Sequence, residues 1–163
     1  MAEVPLTQGK VALVDDEDYE RVSQFKWHAK RVPDSDRFYA ARNVPNPLGR
    51  RGYQRLHSFI LDAAPGQEID HQDGEGLNNT RANLRFATTA QNQANQRPSR
   101  SNTTGFKGVS WHRGRYRARV KVNGNIISLG VYDTGEEAAR AYDQAAIEHH
   151  GEFAHPNFPS EVS

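Results

Sequence analysis

The sequence predicts an α+β chain: a β-rich N-terminal segment leading into a strand–strand–helix motif, followed by a three-stranded antiparallel sheet packed on one helix. Three observations carry this. Residues 115–122 alternate Arg115, Arg117, Arg119 and Lys121 with Tyr116, Ala118, Val120 and Val122, the pattern of a strand with one polar and one buried face. Asn123-Gly124-Asn125 then supplies a hairpin turn, and Thr134-x-x-Glu137 is a capping box that opens an Ala-rich helix. Upstream, short apolar runs are separated by windows rich in Gly, Asn and Pro, as brief strands joined by turns would be.

In order, residues 10–14 read as a short strand, and the run Asp15-Asp16-Glu17-Asp18 as an acidic helix start facing the positive end of the helix dipole. A calcium loop is disfavoured there because the glycine it needs is missing. Phe25, Trp27 and Ala29 alternate with polar residues and predict a half-buried strand, and Phe38, Ala40 and Arg42 predict another. Residues 43–52 are a loop by their Pro and Gly content; Arg50, Arg51 and the nearby Arg55 would meet phosphate or solvent. Residues 56–61 predict a buried strand holding a packed His57, and residues 68–71 a returning strand that ends in Asp70-His71. Residues 78–81 are a turn in which Asn78 and Asn79 satisfy backbone groups, and residues 83–87 a brief strand. Thr88 or Thr89 then caps a helix to about Gln96, with Asn92 in its first turn. Residues 97–104 are a linker by composition. Residues 105–111, 115–122 and 126–132 are the three strands of the second part, and a helix from Gly135 to about His150 lays Ala138, Ala141, Tyr142, Ala145 and Ala146 on the sheet before Gly151 ends it.

Composition narrows the function classes. Hydrophobic residues are 36% of the chain, so modules of this size bury only modest cores. There is no Cys, which excludes disulfides and a thiolate zinc site and fits a cytoplasmic protein. No apolar run approaches the ~18 residues of a membrane span, and the N-terminus does not read as a signal peptide. The net charge is only +1, but it is unevenly spread. Residues 1–96 hold 12 Lys/Arg against 13 Asp/Glu, whereas residues 97–121 hold Arg97, Arg100, Lys107, Arg113, Arg115, Arg117, Arg119 and Lys121 with no acid. That stripe is a polyanion-binding candidate.

The chemistry concentrates in residues 70–92. Asp70-His71, Asn83 twelve residues after the histidine and Asn92 nine further on gather a carboxylate, an imidazole and two carboxamides around turns. Asp and Asn oxygens suit a hard divalent cation, and a neutral imidazole can take a proton from water. This pattern, with the words Leu77-Asn78-Asn79 and Asn83-Leu84-Arg85, resembles the His-Asn-Asn variant of the HNH nuclease motif. Gly108-Val109, Leu129-Gly130, residues 137–143, Gly151 and Asn157-Phe158 resemble an APETALA2-type DNA-binding domain. Together they are similar to phage-encoded homing endonucleases with such a C-terminal domain, over nearly the whole chain.

The resemblance implies four regions: an N-terminal β-rich segment at 1–55, the ββα-metal (HNH) motif at 56–96, the linker at 97–104 and the DNA-binding domain at 105–160. It implies His71 and Asn83 as catalytic residues, with Asn83 supporting His71, and Asp70 and Asn92 as ligands of one divalent cation, Mg2+ or Mn2+. Lys107, Arg113, Arg115, Arg117, Arg119 and Lys121 are the expected contacts to double-stranded DNA. Ser110, Arg119 and Ser128 depart from the plant pattern, so a plant target sequence does not carry over. The expected activity is site-directed, metal-dependent DNA cleavage to 5′-phosphate and 3′-hydroxyl ends. A monomer would nick one strand, and a dimer could cut both. A non-catalytic DNA-binding regulator and an RNA-binding accessory protein are the alternatives.

Overall fold

A computed structural model describes residues 1–33, 35–45, 51–99 and 101–161. Arg50 and Arg100, two of the basic residues singled out above, lie outside them, and the side chain of Arg51 is not described. The chain forms two compact units, Met1–Ala87 and Thr88–Ser163.

In the first unit, β1 (Ala2–Pro5) pairs antiparallel with β2 (Val11–Val14), and α1 (Asp16–Ser23) follows. β3 (His28–Arg31), β4 (Phe38–Pro45) and β5 (Arg51–Arg55) form an antiparallel sheet in that order. α2 (Leu56–Ile60) leads to the hairpin of β6 (Glu68–His71) and β7 (Leu84–Ala87). One core joins these pieces: Val4, Ala12, Val14, Val22, Trp27, Ala40, Leu56, Ile60, Ile69 and Leu84 are buried together.

Three expectations fail here. Of the loop expected at residues 43–52, residues 43–45 end β4 and residues 51–52 begin β5, paired as Asn43–Tyr53, Val44–Gly52 and Pro45–Arg51. Residues 56–61 are not a strand: Leu56 and Ile60, four apart and both fully buried, are the inner positions of a helical turn. A short apolar run has no periodicity that separates the two states. Phe25 and Trp27 precede β3 instead of lying in it. Trp27 instead seals the end of α1, its indole N–H donating to the Val22 carbonyl at 2.9 Å. β1, unremarked in the sequence, exists because Val4 has β2 to pack beside.

The acidic run does start a helix, with Asp15 at its N-cap. Its further use lies elsewhere. Asp18, 3% exposed, takes the Arg81 guanidinium through both oxygens at 2.8 Å, and Asp15 accepts the Arg81 backbone N–H at 2.7 Å. These carboxylates thus hold the far end of the loop between β6 and β7.

The second unit opens with α3 (Thr89–Asn95), capped by Thr88 and Gln91 in a capping box. β8 (Val109–His112), β9 (Arg115–Val122) and β10 (Asn125–Tyr132) form an antiparallel sheet with β9 central, and α4 (Gly135–His150) lies on it behind the Thr134–Glu137 capping box. Ala118 and Val120 meet Ala138, Ala139, Tyr142, Ala145 and Ala146 in two adjoining clusters. Gly108, at φ +75°, permits this: a Cβ there would occupy the ring of Tyr142. Asp143, 3% exposed, accepts the backbone N–H groups of Asn157 and Phe158 at 2.7 and 2.9 Å and so fastens the C-terminal tail.

Asp18→Ala is expected to cost the first unit roughly 1–3 kcal/mol, since it removes a buried carboxylate that takes charge-assisted bonds from the half-exposed Arg81. Urea unfolding read from Trp27, in a Trp111→Phe background, checks this; an unchanged midpoint would contradict it.

Candidate functional site

The site is built on the open end of the β6–β7 hairpin. Register pairs Asp70 with Arg85 and His71 with Leu84, so Asn83 stands at the mouth of the hairpin opposite Gln72. The Gln72 N–H donates to the Asn83 carbonyl at 2.9 Å. The Asn83 carboxamide then ties the loop: its oxygen accepts from the Asp73 N–H at 3.1 Å, and its nitrogen donates to Asp73 Oδ1 at 2.9 Å and to the Asn78 carbonyl at 2.8 Å. Asp73 also accepts from Asn78 Nδ2 at 2.7 Å and from the Glu75 N–H at 2.8 Å. The folded loop hangs on β2, with Leu13 donating to Leu77 and Asn79 donating to Leu13, both at 2.8 Å.

This fold-back brings Asn79 under His71. Asn79 is fully buried, and its Oδ1 lies 3.4 Å from His71 Nε2. The amide that reaches the imidazole is therefore that of Asn79, whereas Asn83, expected as its partner, shapes the loop one step away. Two rings pack beside His71, with Tyr39 at 5.6 Å and His57 at 4.9 Å between centroids. Gly76 makes room for Tyr39, since a Cβ there would fall 2.5 Å from its ring. Burial lowers the His71 pKa from the ordinary value, against the opposing pull of the Asn79 bond and of Asp73 and Asp70, so the ring favours its neutral form. Burial lowers His57 to about 3, helped by the neighbouring His71, which disfavours a second charge beside it, and by the Arg55 guanidinium. His57 Nδ1 has no hydrogen-bond partner among the described residues.

The Asp70 carboxylate is buried and held by Arg85, whose Nε and Nη2 donate to Oδ2 at 3.0 and 2.8 Å. Asp70, His71 and Asn83 thus come together on one hairpin. Asn92 lies on α3, in the second unit. Among the described residues no group of three or more His, Asp or Glu side chains forms a metal cage. A carboxylate such as that of Asp70 is an oxygen donor of the kind that a hard cation such as Mg2+ accepts, with water and phosphate oxygens filling most of its shell. Asn79, Arg85 and Tyr39 are the residues missed in sequence. Arg85 was signalled only by its place in the Asn83-Leu84-Arg85 word.

On β9, Arg115, Arg117, Arg119 and Lys121 share the face away from α4, opposite Ala118 and Val120. Register adds Ser110 and His112 of β8 and Ile126 and Ser128 of β10 to that face. Arg115 pairs with Asp133 at 2.7 Å, and Arg113 sits exposed in the β8–β9 turn. Lys107 departs from the expected surface. It lies in the turn before β8, its Nζ donates to the Ala94 carbonyl at the end of α3, and burial lowers its pKa to about 8. Among the described residues no helix is long and apolar enough to cross a membrane.

Comparison with known proteins bears on both units. Residues 104–152 match the AP2 domain family. Over 153 residues the chain is 33% identical to an uncharacterized HNH endonuclease, L560, of Acanthamoeba polyphaga mimivirus, covering 92% of this chain and 76% of that protein. It is 38% identical over 107 residues to Protein 3.8 of Escherichia phage T7, covering 61% and 88%. The C-terminal part is 51% identical over 57 residues to the ethylene-responsive transcription factor WRI1 of Arabidopsis thaliana, 32% of this chain and 13% of that one.

Because His57 stays neutral in the fold to about pH 3 but protonates near 6.5 when unfolded, only the unfolded state gains a proton in that window. Its contribution is therefore nil above about 6.5, and stability falls as the pH drops towards 3. Urea midpoints measured between neutral and mildly acid pH should fall less steeply in His57→Leu than in the wild type. Parallel slopes would contradict the burial.

Proposed function

The chain belongs to the HNH endonuclease family and carries a C-terminal AP2 domain, and from that premise we propose that it is a metal-dependent, site-directed DNA endonuclease of the homing type that nicks one strand. The observation that supports this best is the His71 imidazole, buried beside Asp70 where burial favours its neutral form, with its Nε2 against the Asn79 carbonyl oxygen. An Nε2–H facing that oxygen would put the basic lone pair on Nδ1, the atom we assign to take a proton from the attacking water. Asn79 orients the ring and stabilises it once charged. Asn83 acts through the loop that presents Asn79. Asp70 and Asn92 would hold one divalent cation, Mg2+ or Mn2+, which when bound would offset the charge developing on the phosphate and the leaving oxygen. Arg85 keeps the Asp70 carboxylate in one orientation.

The products are 5′-phosphate and 3′-hydroxyl ends. The basic face of β9 supplies the grip on double-stranded DNA through Arg115, Arg117, Arg119 and Lys121, with Arg113 at its edge. One site per chain makes a nick the natural product of a monomer, acting in the cytoplasm of the cell that holds the DNA. A non-catalytic DNA-binding regulator is the second reading. The Asp70–Arg85 ion pair favours it, because a carboxylate satisfied by arginine clasps the hairpin without any metal.

Supercoiled DNA incubated with the protein and Mg2+ or Mn2+ should become nicked circle, and a chelator should stop it. His71→Ala is expected to lose ~10²–10⁴-fold in rate while keeping DNA affinity. A gel shift without cleavage by the wild type would favour the regulator, and wild-type rate in His71→Ala would refute the base.

Asn79→Ala should lower the single-turnover rate without changing DNA affinity, by less than the loss of His71 itself. Equal rates for Asn79→Ala and wild type would remove Asn79 from the mechanism.

A further inference from the structure

The sheet β3–β4–β5 has two faces of opposite character. On one, Ala29 and Ala40 are buried, and Arg42 stacks over Phe25 at 3.6 Å and Phe59 at 4.9 Å. The cross-strand pairs Lys30–Tyr39, Asn43–Tyr53 and Ala41–Arg55 define the other face. Lys30, Asn43, Tyr53 and Arg55 are exposed there. No residue of the three strands is acidic. The near-balanced charge of residues 1–96 hides this, because the acids cluster in and around α1 and the β6–β7 loop.

The cations on this face are not spent on carboxylates. Lys30 Nζ lies 3.1 Å from the centre of the Tyr53 ring, and the Arg55 guanidinium lies 5.1 Å from that of Tyr39. The charges of Lys30 and Arg55 lower the Tyr53 pKa, an independent sign of positive potential. Cations held over aromatic rings keep their charge available to an incoming anion. The face also has a direction. Tyr39, on this same face, packs against both His57 and His71, at 5.7 and 5.6 Å between centroids. The row Lys30, Tyr53, Arg55, Tyr39 therefore ends at the imidazole.

We infer that this face is a DNA-binding surface of the first unit itself, and that Lys30 and Arg55 hold backbone phosphates of the duplex being cut. The inference rests on the reading above that His71 faces the scissile phosphodiester. It makes the first unit a contributor to affinity as well as to chemistry, and makes Lys30 and Arg55 set which stretch of backbone reaches His71. Tyr53 serves as the platform that keeps Lys30 erect.

The test uses the full chain and a mixed-sequence duplex, with chelator present so that binding is read apart from cleavage. Fluorescence anisotropy at several salt concentrations gives the slope of log affinity against log salt for wild type, Lys30→Arg and the double variant Lys30→Gln/Arg55→Gln. Each lost phosphate contact lowers the slope by about 0.9, so the double variant should lose about 1.8 and bind more than about tenfold more weakly at ~0.1 M salt. Lys30→Arg should keep the wild-type slope, which separates lost charge from a disturbed strand. An unchanged slope in the double variant overturns the inference, whether or not the wild type nicks DNA. A reduced slope with a wild type that never nicks would sustain the binding surface and sink the nuclease reading. Tighter retention of duplex RNA of the same sequence, with the larger loss in the double variant, would overturn the assignment to DNA.

Discussion

The carboxamide of Asn83 is the constraint on which the site depends. It stands where β7 begins and bonds to both Asp73 and Asn78, closing a loop that would otherwise be an open Gly- and Asn-rich excursion. Closing it is what carries Asn79 back beneath His71. Without that amide, Asp73 would keep Asn78 Nδ2 and the Glu75 N–H but would lose its link to β7. The Arg81–Asp18 pair secures the same loop from the other side, which is why a helix N-terminus far away in sequence bears on the imidazole. Asp15, Asp18 and Asp73 of the first unit are used in holding this loop, and the strands β3, β4 and β5 carry no acid at all.

The second unit applies the same economy differently. Its family words are mostly structural. Asp143, Asn157 and Phe158 fasten the tail, Gly108 admits the Tyr142 ring, and Thr134 with Glu137 starts α4. Asn157 Oδ1 also takes the Lys107 N–H at 2.7 Å, so the tail and the turn before β8 are one assembly. What remains for partner contact is the outer face of the sheet, where Ser110, Arg119 and Ser128, the departures from the plant pattern, stand together. A scaffold kept by its buried polar bonds while its outer face changes can serve different targets.

Much of this was legible in the sequence. Period-2 alternation gave β9 its two faces, the Thr134-x-x-Glu137 capping box is present where the sequence places it, Thr88 of the two threonines offered caps α3, and the strands bearing Asp70-His71 and following Asn83 pair as a hairpin. The misses share a cause: each depends on a partner distant in sequence. The α2 segment became a helix because the core wanted Leu56 and Ile60 on one side. Asn79 looked like one more turn amide until β2 drew its backbone inward. Lys107 looked like part of a basic stripe, but its charge caps the carbonyl end of α3. Local pattern carries no information about which of several equivalent amides or lysines a loop will turn inward.

The most direct measurement of the account is the tautomer of His71. Long-range 1H–15N correlation on histidine-labelled protein at neutral pH reports which ring nitrogen bears the proton. With Asn79 Oδ1 facing Nε2, the expected result is a neutral ring protonated at Nε2, with that signature lost in Asn79→Ala. A ring protonated at Nδ1, or a charged imidazolium at neutral pH, would contradict it: the lone pair needed for the attacking water would then be in the wrong place or absent.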